Sequence, residues 1–235
     1  DISHMIKDRH FQFEEHQIVT SDGYILKIFR IPGPRKETLE KNPNLETLFI
    51  PVLFQHGMLD SSDCWLCNEE SKCIPYILAD LGYDIWLLNS RGNKYCKQHK
   101  KFNTDSFEFW QFSFEEMSKI DLNDSIEYIK NIRLKENKKK NDFIYFGHSQ
   151  GTTIIFTALA ENYKYISDIK LFIALAPVAR LSYLSSTLLN IARKSGLHKI
   201  FENEHKYEIL PYNEKRAEFM SSVSEHFGSL ANFAL

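Results

Sequence analysis

The pentapeptide Gly147-His148-Ser149-Gln150-Gly151 stands between a short apolar run, Phe143 to Phe146, and a helix-patterned stretch, Thr152 to Tyr163. Glycines two positions either side of the serine let a strand reverse sharply into a helix, and the reversal forces the central residue into a strained backbone conformation. Side chains at 147 or 151 would collide across such a turn. The serine hydroxyl is then lifted to the end of a strand and the start of a helix, where developing negative charge is favoured. With nine Gly in 235 residues, a G-x-S-x-G pattern arises by chance only roughly 0.03 times in a chain like this, before a strand and a helix are required around it. The plainer alternative is a tight turn whose serine merely caps the helix.

The surrounding chain repeats the strand-turn-helix theme. Residues 16 to 31 hold two β-branched and aromatic runs around Ser21-Asp22-Gly23, which is hairpin chemistry. A polar linker with Pro32, Gly33, Pro34 and Pro43 follows. The run Leu48 to Phe54 then reads as a strand buried on both faces. Next come a helix around Cys73 to Leu81, a strand Tyr83 to Leu88, a helix Phe114 to Ile132, the strand and helix already named, and a strand Lys170 to Ala176. This alternation predicts a mainly parallel sheet with helices on both faces. In such sheets chemistry collects beyond the carboxyl ends of the strands. Three of those ends carry Gln55-His56-Gly57-Met58, Asn89-Ser90-Arg91-Gly92-Asn93 and the Ser149 pentapeptide.

Acyl transfer at such a serine needs two backbone N–H groups aimed at the oxyanion, one from the residue after the nucleophile and one from the loop after the third strand. Gln150 fills the first position. Met58 fills the second, with Gly57 permitting the turn. His56 and His148 are read as packed, satisfied histidines, because a ring adjoining the nucleophile on a strained turn should point away from its hydroxyl.

Composition narrows the function classes. Lys+Arg 29 against Asp+Glu 31 leaves a net charge of -2, so no global positive field exists to hold a phosphate backbone. The basic stretch Lys135 to Lys140 contains no aromatic residue to stack a base; it reads as a solvated loop, and no nucleic-acid partner is expected. No run approaches the ~18 apolar residues of a membrane span. The chain begins with Asp1 and no apolar leader, which suggests that a targeting segment was removed or that the chain starts part-way.

The segments QHGMLDSSDCW, ILADLGYDIWLLNSRGN, DSFEFWQFSFEEM with the later Asp121-Leu122, GHSQGTT and FIALAPVA resemble, in order, the signature blocks of the acid lipase family, which includes gastric and lysosomal acid lipases. The opening HQIVTSDGYILKIFRIP is similar as well, and the resemblance runs from about Ile2 to about Ala179. It implies an α/β-hydrolase fold, a Ser-His-Asp mechanism without a cofactor or metal, and hydrolysis of lipid esters such as triacylglycerols or cholesteryl esters through an acyl-enzyme. It also implies a secreted or lysosomal location. Carried over by position, Ser149 is the nucleophile, Met58 and Gln150 form the oxyanion hole, and Gly147 and Gly151 flank the turn. The family usually has Leu at the place of Met58, which should matter little for a backbone N–H.

In this fold the order is Ser, then Asp or Glu, then His, each after a later strand. The chain after Ser149 holds one helix, one strand and a tail from Arg180 to Leu235 with helical apolar spacing, whereas two further strand-helix units need on the order of 60 residues. The expectation is a core over residues 1 to 179, C-terminally incomplete and lacking the triad Asp and His, and the start of a helical cap over 180 to 235. Through that cap the protein would meet a lipid-water interface. His198, His205 and His226 follow no strand and read as solvated. If 235 residues were the whole product, little turnover is expected, and a non-catalytic lipid-binding remnant is the alternative. Thioesterases and peptidases share the same turn.

Cys64, Cys67, Cys73 and Cys96 lie on the loops after the third and fourth strands. Four cysteines allow three pairings that sequence does not separate; disulfides, free thiols and, least, a metal remain open. Asn123-Asp124-Ser125 is a formal glycosylation sequon inside a predicted helix.

Overall fold

The structure, a computed structural model, describes residues 1–43, 49–138 and 142–180. A short helix α1 (Ile2–Lys7) opens it, and the side chain of its N-cap Asp1 accepts a hydrogen bond from Ser3 N–H. Strands β1 (Glu14–Val19) and β2 (Tyr24–Ile31) form the expected antiparallel hairpin. Its turn is tied by Thr20, whose Oγ1 accepts from Tyr24 N–H at 2.8 Å. The Pro-rich linker contains a helix that its sequence does not announce, α2 (Lys36–Lys41), with no buried residue. Propensity alone gives little signal for so short an exposed helix.

The α/β alternation then follows as the apolar periodicity predicts. It comprises β3 (Pro51–Gln55), α3 (Ile74–Asp80), β4 (Asp84–Leu88), a two-residue β5 (Gln98–His99), α4 (Phe114–Glu116), α5 (Asn123–Lys135), β6 (Phe143–His148), α6 (Gln150–Ala160) and β7 (Ile169–Leu175). Between α4 and α5 the helix widens into a π turn over Met117–Leu122. Ser113 opens α4 with a capping box, its side chain and Glu116 answering each other's backbone.

The sheet order is β1-β2-β4-β3-β6-β7, with β5 against β2. Strands β3, β4, β6 and β7 run parallel, while the hairpin joins antiparallel through β2 and β4. Chain order moves from β3 outward to β4 on one side and then returns to β6 on the other. The crevice beyond the carboxyl ends of β3 and β6 is therefore the topological switch point of the sheet.

Each central strand is apolar throughout because each face meets its own core. On one face Leu53, Trp86 and Tyr145 pack with Ile126, Ile129, Ile154 and Ile155; on the other Val52, Phe54, Ile85, Leu87 and Phe146 pack with Trp65, Tyr76 and Ala79. Alternation thus survives as a choice between two cores, which hydrophobicity alone does not show. At the amino end of β4, far from the switch point, Asp84 is fully buried and bonded to Arg30 (2.7 Å) and Arg133 (2.6 Å). Arg30 also reaches Glu136 at 2.6 Å and lies over the Trp86 ring. This network holds α5 to the sheet.

Candidate active site

Ser149 joins β6 to α6 with φ 50° and ψ -115°. A non-glycine residue with positive φ at a strand-helix junction is strained, and such strain persists where the surroundings over-determine it. They do so here. Ser149 N–H donates to the Leu175 carbonyl at 3.0 Å, Thr152 N–H donates to the Ser149 carbonyl at 2.9 Å, and Tyr145 OH donates to the Gly151 carbonyl at 2.9 Å. The glycines are needed for close approach. A Cβ on Gly151 would stand 2.5 Å from the Gln55 carbonyl oxygen, and one on Gly147 would stand 2.9 Å from the backbone of Gly151.

The helix that follows adds its own polarity. Gln150 is the first residue of α6, so its N–H belongs to the unpaired first turn. Ser149 makes no capping hydrogen bond with its side chain, which argues against the plain role of helix cap and leaves Oγ available.

The loop after β3 comes to the same point because Gln55 pairs in register with Gly147. A Cβ on the buried Gly57 would lie 3.1 Å from Ser149 Cβ, so the two turns are packed together. Among the described residues, the N–H of Met58 donates to no protein group. Met58, Leu59 and Gln150, the residue after Ser149, line a cleft of about 680 Å³; Trp110, Phe112, Phe114 and Met117 form apolar walls, and Asp60, Arg91, Lys94 and Lys97 are its charged lining residues. Met58 and Leu59 are 64% and 68% exposed, an unusual presentation of large apolar side chains around a polar centre.

The two histidines of the site are occupied differently. His56 is buried, with Nδ1 2.7 Å from the Gly57 carbonyl and Nε2 3.1 Å from both Ser90 N–H and Asn93 Nδ2. Burial holds its pKa below the usual histidine value, so the ring is neutral. The His148 ring is half-buried and edge-on to Trp65. No described residue after Ser149 is a histidine. The one aspartate there, Asp168, precedes β7 and is ion-paired with Lys130 at 2.5 Å. His198, His205, His226 and the segment expected to begin a cap lie outside the described residues, apart from Arg180.

Sequence reading missed the support beneath the cleft. Arg91, from the turn after β4, is buried and bonded to Asp121 on the π turn at 2.6 Å and to Asp22 in the hairpin at 2.6 Å, stacked over the Tyr24 ring. An arginine in a strand-end turn flanked by aromatic segments was the available signal, but its partners are 30 and 69 residues away. All four cysteines are thiols. Cys73 and Cys96 belong to opposite cores and cannot pair, and burial raises every one of the four thiol pKa values. Asn123 of the sequon is half-buried and Ser125 buried within α5.

A family model described as "alpha/beta hydrolase fold" matches residues 50–192, and one described as "Partial alpha/beta-hydrolase lipase region" matches residues 2–69. The chain belongs to the α/β-hydrolase family. Its relatives include human lipase member J, 43% identical over 83% of this chain and 50% of that protein. Mouse gastric triacylglycerol lipase is 40% identical over 91% and 51%, and human lysosomal acid lipase/cholesteryl ester hydrolase is 40% identical over 82% and 46%. The chain spans about half the length of the curated relatives it matches. Among solved structures, the α/β hydrolase GrgF from Penicillium sp. sh18 aligns with a TM-score of 0.56 at 16% identity, over 92% of this chain and 67% of that one. At that identity the likeness shows the fold alone. The switch-point crevice, the strained serine and the facing β3 loop thus stand on an α/β-hydrolase scaffold.

Proposed function

We propose that this chain carries the nucleophile and the oxyanion hole of a serine hydrolase that cleaves carboxylic esters of lipids, triacylglycerols or cholesteryl esters. One observation carries the reading: Ser149 is held at φ 50° on the strand-helix junction, with Gly57 of the facing loop packed against it. Ser149 Oγ attacks the ester carbonyl carbon and gives its proton to a histidine base. The carbonyl oxygen becomes an oxyanion between the N–H groups of Met58 and Gln150. The C–O bond then breaks, the alcohol leaves with the proton, and water hydrolyses the acyl-enzyme. The family order puts the acid and the base C-terminal to Ser149, and neither is assigned among the described residues.

The apolar walls of the cleft suit an acyl chain, and the exposed Met58, Leu59 and Phe114 suit a lipid surface. No helix among the described residues is long and apolar enough to cross a membrane. The names of the gastric and lysosomal relatives support a secreted or lysosomal location for this protein as well.

The test is hydrolysis of p-nitrophenyl butyrate and of a triacylglycerol emulsion by the full natural chain that contains these residues. Turnover should fall by several orders of magnitude in Ser149→Ala, and a fluorophosphonate should label the native protein on Ser149. Undiminished hydrolysis by Ser149→Ala would assign the chemistry elsewhere. Lipid binding without hydrolysis by the native protein would replace this reading with the non-catalytic one.

A further inference from the structure

The Gly57–Met58 peptide has two faces, and only one of them is useful. In a trans peptide the carbonyl and the following N–H point in opposite directions, and no cis peptide is present among the described residues. For Met58 N–H to face an oxyanion on Ser149, the Gly57 carbonyl must face away. A glycine-containing turn can flip this unit at low steric cost. Something has to hold it.

The ring of His56 stands where it can. Its Nε2 is 3.1 Å from the backbone N–H of Ser90 and 3.1 Å from the side-chain amide of Asn93. A backbone N–H can only donate, so Nε2 is the bare nitrogen of the ring and Nδ1 carries the hydrogen. That hydrogen is directed at the Gly57 carbonyl, 2.7 Å away. Ser90 is itself pinned, since its Oγ accepts from Gln55 Nε2 at 2.9 Å. Asn93 is pinned through the bond of its amide to Asn89 Oδ1 at 2.8 Å. The tautomer is thus set by a buried network anchored in the turn after β4, and the orientation of the peptide is set by the tautomer.

We propose that His56 is a positioning residue for ester hydrolysis: its Nδ1–H holds the Gly57 carbonyl away from Ser149 and so keeps Met58 N–H turned into the oxyanion hole. This rests on the hydrolase reading of Ser149. The same network keeps the ring in the neutral form that donates from one nitrogen and accepts at the other. Protonation of Nε2 would set a third donor against Ser90 N–H and the Asn93 amide. The β4 turn is thereby coupled to the oxyanion hole through a single side chain.

Two substitutions separate this role from simple packing. The amide of His56→Asn can place a donor near the position of Nδ1 and keep the bond to the Gly57 carbonyl, while losing the partner of Ser90. His56→Gln reaches the Nε2 end, where its amide oxygen can still accept from Ser90 N–H, but leaves Gly57 without its donor. Both are measured in the full natural chain with a soluble short-chain ester. His56→Gln should lose kcat by about 10²- to 10³-fold, the usual effect of removing one oxyanion donor, with KM changed little. His56→Asn should keep kcat within about tenfold of native on the same argument.

Equal kcat in the two variants, or an undiminished His56→Gln, would overturn the proposal, because a packing role would depress stability in both without this split. Should His56→Gln fail to fold, His56→Asn decides by itself: a kcat loss of 10²-fold or more, the size of a lost oxyanion donor, overturns the proposal. If the native chain hydrolyses no ester, the functional reading fails separately. The Gly57–Met58 peptide in crystal structures of the two variants then tests the inference, with flipped in His56→Gln and retained in His56→Asn as the supporting result, and unflipped in His56→Gln as the refuting one.

Discussion

Replacing Ser149 by Gly and by Ala separates the strain of the turn from the chemistry proposed for it. A non-glycine residue in a sparsely populated backbone region carries about 1–3 kcal/mol of strain, and Ser149 sits at φ 50°, ψ -115°. Ala keeps the Cβ and therefore the strain. Gly removes it, at the expense of about 0.5–1 kcal/mol of extra unfolded-state entropy. Loss of Oγ removes no capping hydrogen bond in either variant. Ser149→Gly should therefore be more stable than Ser149→Ala by about 1–2 kcal/mol, while Ser149→Ala stays close to native. For a chain of this length that difference corresponds to about 2–8 °C in Tm. Thermal unfolding followed by circular dichroism, at one protein concentration and pH, is sufficient, and both variants should be inactive. A Tm for Ser149→Ala equal to or above that of Ser149→Gly would refute the argument that the junction stores strain in order to present its hydroxyl.

Two further outcomes follow from the same structure. Gly151→Ala places a Cβ 2.5 Å from the Gln55 carbonyl, so α6 must move off β3; urea denaturation should show a loss of about 1–3 kcal/mol or more, and an unchanged midpoint would mean that the two elements are not in contact as described. Glu136 is held down to about 2 from its ordinary 4.5, chiefly by the Arg30 hydrogen bond. Its folded-state pKa is depressed, so its contribution to stability is present above 4.5 and is lost as pH falls toward 2. Glu136→Gln should flatten the acid limb of the stability curve over that window, and a parallel limb would show that the pair contributes nothing there.

Much of the architecture was legible because apolar runs and punctuating glycines are local signals. The strand ends that carry His56, Arg91 and Ser149 are where the alternation put them, with boundaries shifted by a few residues: Leu48 to Phe54 became Pro51–Gln55, and the helix after the serine begins at Gln150. Gly57, next to Met58, packs against Ser149, and Met58 and Gln150 line one cleft, since β3 and β6 are neighbours in register. The helix α2 and the π turn were not visible. The first has no apolar stripe to betray it. The second concerns how a helix is wound, which periodicity over a handful of residues does not resolve.

The sequence by itself determined that residue 149 would be a serine at a glycine-flanked strand-helix junction, because the sterics of such a junction act within five residues. It equally determined an α/β alternation whose glycine-bearing loops, those of the proposed site, fall at carboxyl strand ends. Only the tertiary structure decided that β3 lies beside β6, that Gly57 packs on Ser149, and that His56 bonds the Gly57 carbonyl while answering Ser90 from a different loop. The same holds for Arg91 between Asp22 and Asp121, and for the separation of Cys73 from Cys96 by the sheet. Such pairings join residues tens of positions apart, and they become favourable only after the sheet order has brought those residues together and excluded the water that would otherwise serve as their partner.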